Sequence, residues 1–134
     1  MEHSYSFEKL DVWQKGREYV VFIYKLTDKF PDKEKFGIIS QIRRASISIT
    51  SNIAEGSSRS SLKEQIRYVE IAYGSALETY CQLISSLDLD FISIEEFQIG
   101  NQLLKEITNK LNALKNSQIK RLNEQTNNQI SKRQ

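Results

Sequence analysis

Apolar residues recur along this chain at the three- and four-residue spacing of a helix that buries one side. Between Phe36 and Arg59 they follow one another at steps of four, three, four and four, which places them on a single helical face. That predicted core face consists of Ile38, Ile42, Ala45, Ile49 and Ile53. Gly56 comes next, and because glycine accepts a left-handed backbone at little cost, we expect the helix to end there in a left-handed cap.

Three further segments show the same periodicity. A first helix is predicted over residues 7–30, since the residue before Pro31 avoids helical angles. Two capping boxes, Ser61 with Glu64 and Ser93 with Glu96, predict the starts of a third and a fourth helix. The predicted core face of the third helix is Leu62, Ile66, Val69, Tyr73, Ala76, Tyr80, Leu83, Ile84 and Leu87. Two helical hairpins with short turns predict an all-α, antiparallel up-down-up-down four-helix bundle.

This pattern divides the chain into three parts. Residues 1–6 are predicted to form a flexible N-terminus, residues 7–114 the four-helix bundle, and residues 115–134 a basic polar tail. Apolar positions thin out within the tail, so two alternatives stay open there: the fourth helix continues, or the tail is disordered.

A second set of positions on the second and third helices does not fit an ordinary core, because it combines small residues with charges. Small residues let two backbones approach closely, and Arg–Glu pairs fix their register, so the set predicts a subunit interface. The alternative is tight packing within one bundle. Mid-helix glycine costs about 1 kcal/mol relative to alanine, which predicts a close compensating contact. The set is Arg44, Ser48, Ser51, Glu55, Ile71, Gly74, Ser75 and Glu78. We expect Arg44 and Glu55 to form buried pairs.

The 134 residues fit one domain, and their net charge of +2 is unevenly distributed. Residues 61–114 carry a net −4 and residues 115–134 a net +4. Basic side chains on the helices and the tail are therefore candidates for phosphate contacts with RNA or DNA, the alternative being an ordinary solvated surface. The candidates are Arg43, Arg59, Arg67, Lys115, Lys120, Arg121, Lys132 and Arg133. No aromatic platform interleaves with them in the sequence, so base-specific recognition is not expected.

Residues suited to catalysis are scarce. His3 is the only histidine and Cys81 the only cysteine, so no di-iron motif, histidine-based nuclease site or cysteine metal cluster is predicted. We expect no catalytic residue, no cofactor and no metal, and we expect Cys81 to be a small buried hydrophobe. A lone cysteine and the absence of a signal-peptide pattern or membrane-spanning run favour a cytoplasmic protein with no membrane partner.

Three strings, falling in the right order, resemble one family. They are QIRRASISITSNIAEGSSR at residues 41–59, Phe7–Lys15, and Ile71–Ser75. They are similar to the small four-helix bundle proteins first found encoded in intervening sequences of bacterial 23S rRNA genes, over residues 7–114. The resemblance implies a bacterial protein that assembles as a ring-like homopentamer. One departure is Thr50, where the family often has proline, so the kink of a proline is not carried over.

The sequence and the resemblance together predict a non-catalytic oligomeric scaffold that binds nucleic acid or a nucleic-acid enzyme. Relatives of this fold resemble accessory proteins of diversity-generating reverse transcriptases, which points the same way by analogy. The alternative is a protein-interaction module with no nucleic-acid role, and a hydrolase is a third and more distant option.

Overall fold

The computed structural model describes residues 4–133, and the fold there is the predicted all-α four-helix bundle. Its helices are α1 (Asp11–Thr27), α2 (Ser40–Ser57), α3 (Leu62–Asp88) and α4 (Ile94–Arg133). Each helix packs against its neighbours in the chain, and α4 returns to pack against α1. Short turns between successive helices make them run antiparallel. None of these helices is long and apolar enough to cross a lipid bilayer.

The core forms where the apolar faces of the four helices meet. On α2 the predicted face is confirmed, since Ile42, Ala45, Ile49 and Ile53 are buried and only Ile38 lies partly open. Full burial of an aliphatic side chain of this size contributes about 1.5–3 kcal/mol, so the core supplies the main stabilising free energy. The largest fully buried apolar side chains are Tyr19, Ile23, Ile42, Ile49, Leu83, Ile107 and Leu111.

The core face of α3 differs from the prediction. Its buried residues are Val69, Ala72, Ala76, Thr79, Leu83 and Ser86. The predicted members Leu62, Ile66, Tyr73, Tyr80 and Leu87 lie only partly buried, and Ile84 is exposed. The spacing of large apolar residues led to the predicted face. The buried face instead includes small residues such as Ala72, Ala76 and Ser86, which let neighbouring helices approach closely.

Gly56 does not form the expected left-handed cap. Helix α2 continues through it to Ser57, and no glycine among residues 4–133 has a positive φ. A Cβ added at Gly56 would lie 2.7 Å from the Cβ of Tyr68, much closer than two such atoms can pack. Glycine is therefore required here because α2 and α3 approach each other closely, and not because of the backbone angle.

The connection between α1 and α2 is irregular. Helix α1 is shorter than predicted, because a 3₁₀ turn (Ser6–Lys9) precedes it and the helix ends at Thr27. A second 3₁₀ turn (Asp32–Glu34) leads into a π-helical turn (Lys35–Ile39). Within the π-helical turn, Gly37 has non-helical angles, φ −107° and ψ −119°, so the chain kinks immediately before α2.

Both predicted capping boxes contribute to the helix starts. The Glu64 amide donates a 3.2 Å hydrogen bond to Ser61 Oγ at α3. At α4 the arrangement is reciprocal: the Glu96 amide donates to Ser93 Oγ at 3.1 Å, and the Ser93 amide donates to Glu96 Oε1 at 2.9 Å. Each bond satisfies an amide that has no partner within its own helix.

The tail of the chain is helical in the structure, because α4 continues to Arg133. Gln118 in this segment is buried against the bundle, whereas every residue from 123 to 133 is exposed. At about 1.5 Å per residue, the exposed segment extends roughly 16 Å past the packed part of α4.

Candidate functional site

The predicted interface residues of α2 and α3 partly face each other within one chain. Ser48 Oγ and Ser75 Oγ are 2.8 Å apart and share a hydrogen bond. Asn52 Nδ2 donates to Ser48 Oγ at 3.0 Å, which extends the polar contact along α2. Ser48 and Ser75 therefore pack within the bundle, which is the alternative that the sequence left open for this set.

Arg44 and Glu55 are paired, but neither pair is buried as expected. Arg44 Nη2 lies 3.5 Å from Glu78 Oε1 on α3, with 67% and 44% of the two side chains exposed. Glu55 pairs with Arg59, four residues further on, rather than with α3. Because water screens such pairs, they add little to stability, and the large cost of leaving a buried charge without its partner does not apply.

The remaining members of the set face solvent. Ser51 and Ile71 are exposed, and a Cβ added at Gly74 would have no atom of another helix of residues 4–133 within 4 Å. The close contact predicted to compensate for Gly74 is therefore not made within the chain. Gly74 instead borders a groove of about 290 Å³ between α3 and α4, beside Tyr73, Leu111 and Lys115.

Arg43 is a structural residue on the side of α2 that faces α1. Its Nε donates to Thr27 Oγ1 at 2.8 Å, and its Nη2 donates to the Tyr24 carbonyl at 3.2 Å and to Asp28 Oδ1 at 2.9 Å. The guanidinium also stacks 4.4 Å from the centre of the Tyr24 ring. Arg43 thus ties the last turn of α1 to α2.

Two more of the predicted phosphate-binding residues are neutralised within the chain. Arg59 pairs with Glu55 and lies 5.0 Å over the Tyr68 ring, and the Glu55 carboxylate raises the pKa of Arg59. Lys115 Nζ lies 3.4 Å from Glu70 Oε2. A phosphate would have to compete with a carboxylate at each of these positions.

The other five predicted residues form a second group. All are exposed, and none has a carboxylate oxygen of residues 4–133 within 4.0 Å. One lies on α3 and four on α4, near or beyond the end of the packed bundle. These five unpaired cations are Arg67, Lys120, Arg121, Lys132 and Arg133.

An aromatic and basic groove was missed by the sequence analysis. Side chains of α1, α2 and the π-helical turn line a groove of about 530 Å³. We call it the Phe36 groove; its lining includes Tyr24, Lys35, Phe36, Arg43, Arg44 and Ile47. Among the eight basic candidates only Arg43 lines this groove, and the fold brings it together there with Tyr24 and Phe36, which the order of residues in the sequence did not indicate.

The side chains that could bind a metal ion or act in catalysis are mainly those of His, Cys, Asp and Glu residues. Within residues 4–133 no three His, Cys, Asp or Glu side chains are grouped so that they could hold a metal ion. Cys81 is exposed, which corrects its prediction as a buried hydrophobe: it lies on the outer side of α3, opposite the core face. His3 lies outside the described residues.

Comparisons with known proteins agree on one family. A family model described as 23S rRNA-intervening sequence protein matches residues 8–113. The fold is also similar, with a TM-score of 0.73 and 28% identity, to the crystal structure of a protein of unknown function from the S23 ribosomal protein family of Bacteroides thetaiotaomicron. That alignment covers 78% of this chain and 95% of the other. A search of curated protein sequences gives no match.

Proposed function

The chain belongs to the 23S rRNA-intervening sequence protein family, and on that premise we propose that it is a non-catalytic homo-oligomeric scaffold that binds RNA or DNA. The observation that supports nucleic-acid binding is the group of five unpaired cations on α3 and α4. A cationic side chain that contacts a phosphate displaces the counterion bound there, and this release is the main driving force of sequence-independent binding. A cation without a carboxylate partner can do so without first breaking an ion pair.

Four of these cations lie in two pairs along one helix. Lys120 and Arg121 are twelve residues from Lys132 and Arg133, a separation of about 18 Å along α4. Such a distance suits contacts to several phosphates of one strand. The acidic residues 61–114, with their net charge of −4, would repel the same ligand. A polyanion, or a nucleic-acid enzyme carrying one, is therefore expected to contact the distal half of α4.

Assembly into a homo-oligomer, with a pentamer favoured, is the second part of the proposal. Its support is the open surface at Ile71 and Gly74 on α3, where a Cβ built on the helix glycine would meet no other helix of residues 4–133 within 4 Å. A neighbouring backbone could approach there without obstruction. A five-membered ring uses heterologous contacts, and five copies of a weak cationic patch bind a long polyanion far more tightly than one.

The rival function is a protein-interaction module with no nucleic-acid role. The observation that favours it is a shallow groove of about 430 Å³ on the outer side of α4, lined by Gln98, Ile99 and Leu103. Ile94 and Leu89, close by in the chain, are also exposed. Because this surface is apolar and acidic rather than basic, its partner would be a protein, and its binding would depend only weakly on salt.

A titration against salt tests the proposal. Duplex DNA and single-stranded RNA are titrated with the unaltered chain and with a Lys120→Gln, Arg121→Gln, Lys132→Gln, Arg133→Gln variant. Truncation is avoided, because residues 115–134 include the buried Gln118. For the unaltered chain, log affinity should fall linearly with log salt, by about 0.7 to 0.9 per phosphate neutralised, and the variant should show a flatter slope.

Two double variants are also compared, one with Lys120→Gln and Arg121→Gln and a control of equal charge with Lys15→Gln and Lys110→Gln, whose cations already have carboxylate partners. The control should keep the original salt slope. Absence of binding to either nucleic acid at about 50 mM salt, where phosphate contacts are strongest, would favour the protein-interaction module instead.

A further inference from the structure

Phe36 occupies an unusual position for a large apolar residue. Its side chain is 90% exposed, although Ile38 and Ile39 directly after it pack against the core. The π-helical turn and the kink at Gly37 separate Phe36 from the register of α2. Ser40 Oγ donates a 3.0 Å hydrogen bond to the Gly37 carbonyl, which holds the kink in place. The phenyl ring is thus presented to solvent by a defined local structure.

The surroundings of the ring combine flat apolar surface with positive charge. Lys35 Nζ lies 5.7 Å from the centre of the Phe36 ring, and Arg43 stacks on Tyr24 at the other side of the groove. Ile39 and Ile47 add apolar surface to the lining. The lining contains three cations and no carboxylate.

Not all of this charge is available to a ligand. Arg43 is engaged by Asp28, and Arg44 has only its long, exposed contact with Glu78. Lys35 has no carboxylate partner among residues 4–133. Lys35 and Arg44 are therefore the two side chains that can meet an anionic group beside the exposed ring.

We propose that the Phe36 groove binds unpaired bases of single-stranded nucleic acid, with Phe36 as the stacking platform and Lys35 and Arg44 contacting the flanking phosphates. The inference rests on the proposed function and adds a preference for single strands to it. A base offers its ring face only when it is unpaired and unstacked, whereas a duplex hides that face inside the helix. Aromatic stacking of this kind is tolerant of sequence, since every base has a ring face.

The other class of ligand that could cover an exposed aromatic ring is a protein. The lining favours nucleic acid, because the exposed Phe36 ring with Lys35 and Arg44 beside it matches a base with its phosphates, whereas an apolar protein surface would leave Lys35 and Arg44 desolvated and unpaired. Contact with a protein, including a second copy of this chain, is one outcome of the test below.

The test compares Phe36→Ala, Phe36→Trp and the control Leu89→Ala by fluorescence anisotropy. Leu89 is also a large exposed apolar residue, at 56%, but lies in the turn between α3 and α4 and does not line the groove. The probes are a labelled oligouridylate of about 12 nucleotides, an abasic strand of the same length, and a duplex of the same length. We expect Phe36→Ala to weaken oligouridylate binding about tenfold while leaving duplex binding unchanged, Phe36→Trp to retain it, and Leu89→Ala to have no effect.

Three results would overturn the inference. Equal binding of the abasic strand and oligouridylate by the unaltered chain would show that bases are not contacted. An unchanged affinity of Phe36→Ala for oligouridylate would show that Phe36 does not stack on a base. A lower molar mass of Phe36→Ala in light scattering would assign the groove to a protein contact. If one of these results is obtained but the chain still binds the duplex, the proposed function is retained and only the inference about the Phe36 groove fails. If no probe binds at about 50 mM salt, both the inference and the proposed function are contradicted.

Discussion

The Tyr19 hydroxyl donates a 2.9 Å hydrogen bond to Thr79 Oγ1 at the centre of the bundle, and both residues are fully buried. Thr79 Oγ1 in turn donates to the Ala76 carbonyl at 2.7 Å. The bond joins α1 to α3, two helices that are not neighbours around the bundle. Burial raises the pKa of Tyr19 well above its usual range, because a phenolate at this position would lose its water.

Tyr19 should make the protein sensitive to alkali. Below pH 10 the phenol is neutral in both states, and its stabilising contribution is fully present. Above pH 10 the unfolded chain releases this proton while the folded chain retains it, so stability should fall by up to about 1.4 kcal/mol per pH unit from this group. Tyr19→Phe should flatten the fall, measured by urea unfolding at several pH values, and Tyr5→Phe, at an exposed position, should leave it unchanged.

Arg43 and Arg44 should differ in their effect on stability. Arg43→Ala removes hydrogen bonds to Thr27, Tyr24 and Asp28 from a side chain that is 26% exposed, and should cost about 1.5–3 kcal/mol. Arg44→Ala removes one exposed pair and should cost less than about 1 kcal/mol. Thermal unfolding of the two variants measures the difference. Equal losses would show that the Arg43 contacts do not stabilise the folded chain. The buried pair expected from the sequence for Arg44 would have made Arg44→Ala the more costly change, and the structure reverses that order.

Much of the fold could be predicted from the sequence because local signals and burial agree. The periodicity of α2, the stop near Pro31 and the Ser93–Glu96 box each depend on residues within one or two turns. Gly56 shows where this approach fails. Its role depends on Tyr68 of another helix, and sequence spacing alone cannot distinguish a glycine that ends a helix from one that lets two helices meet.

Substitution of two helix glycines by alanine should have opposite effects. Gly56→Ala gains helix propensity but forces its Cβ against Tyr68, so we expect a net loss of about 1–3 kcal/mol. The Cβ added in Gly74→Ala lies in open space within residues 4–133, so this substitution should stabilise a monomer by up to about 1 kcal/mol. Unfolding measurements at low protein concentration provide both values.

Replacement of Gly74 by a residue with a large side chain also tests the proposed homo-oligomer. Gly74→Leu should lower the molar mass in light scattering while leaving the helical circular dichroism largely unchanged, since this position of α3 lies open in the single chain and bulk there would obstruct a neighbouring subunit. An unaltered chain that is monomeric at tens of micromolar would instead refute the homo-oligomer.

Glu96 should contribute to stability at neutral pH but not in acid. The hydrogen bond from Lys29, followed by the Ser93 amide, lowers the pKa of this carboxyl. Its contribution is therefore present above the ordinary glutamate pKa and disappears as the pH falls through the lowered value. Glu96→Gln should cost up to about 1 kcal/mol at pH 7, because Lys29 is largely exposed, and nothing near pH 2. Glu95→Gln, at an exposed neighbour outside the capping box, should show a smaller change.

The candidate site was less predictable than the fold. Basic residues could be found in the sequence, but not whether a carboxylate accompanies them: Arg43 and Arg59 are paired, whereas Arg67 is not. The Phe36 groove depends on a kink that rotates one side chain out of register. Lys35 and Phe36 immediately before Gly37 were the only local signal.

The exposed end of α4 is kept helical in a different way from the helices that pack in the bundle. An isolated helix of this length would not form in water, since starting a helix is the unfavourable step. Here the packed part of α4 has already taken that step, and each further residue only adds one hydrogen bond. The segment should therefore unwind gradually from Arg133 on warming, before and independently of the cooperative melting of the bundle, and a polyanion bound along it would act as an external template that holds it helical.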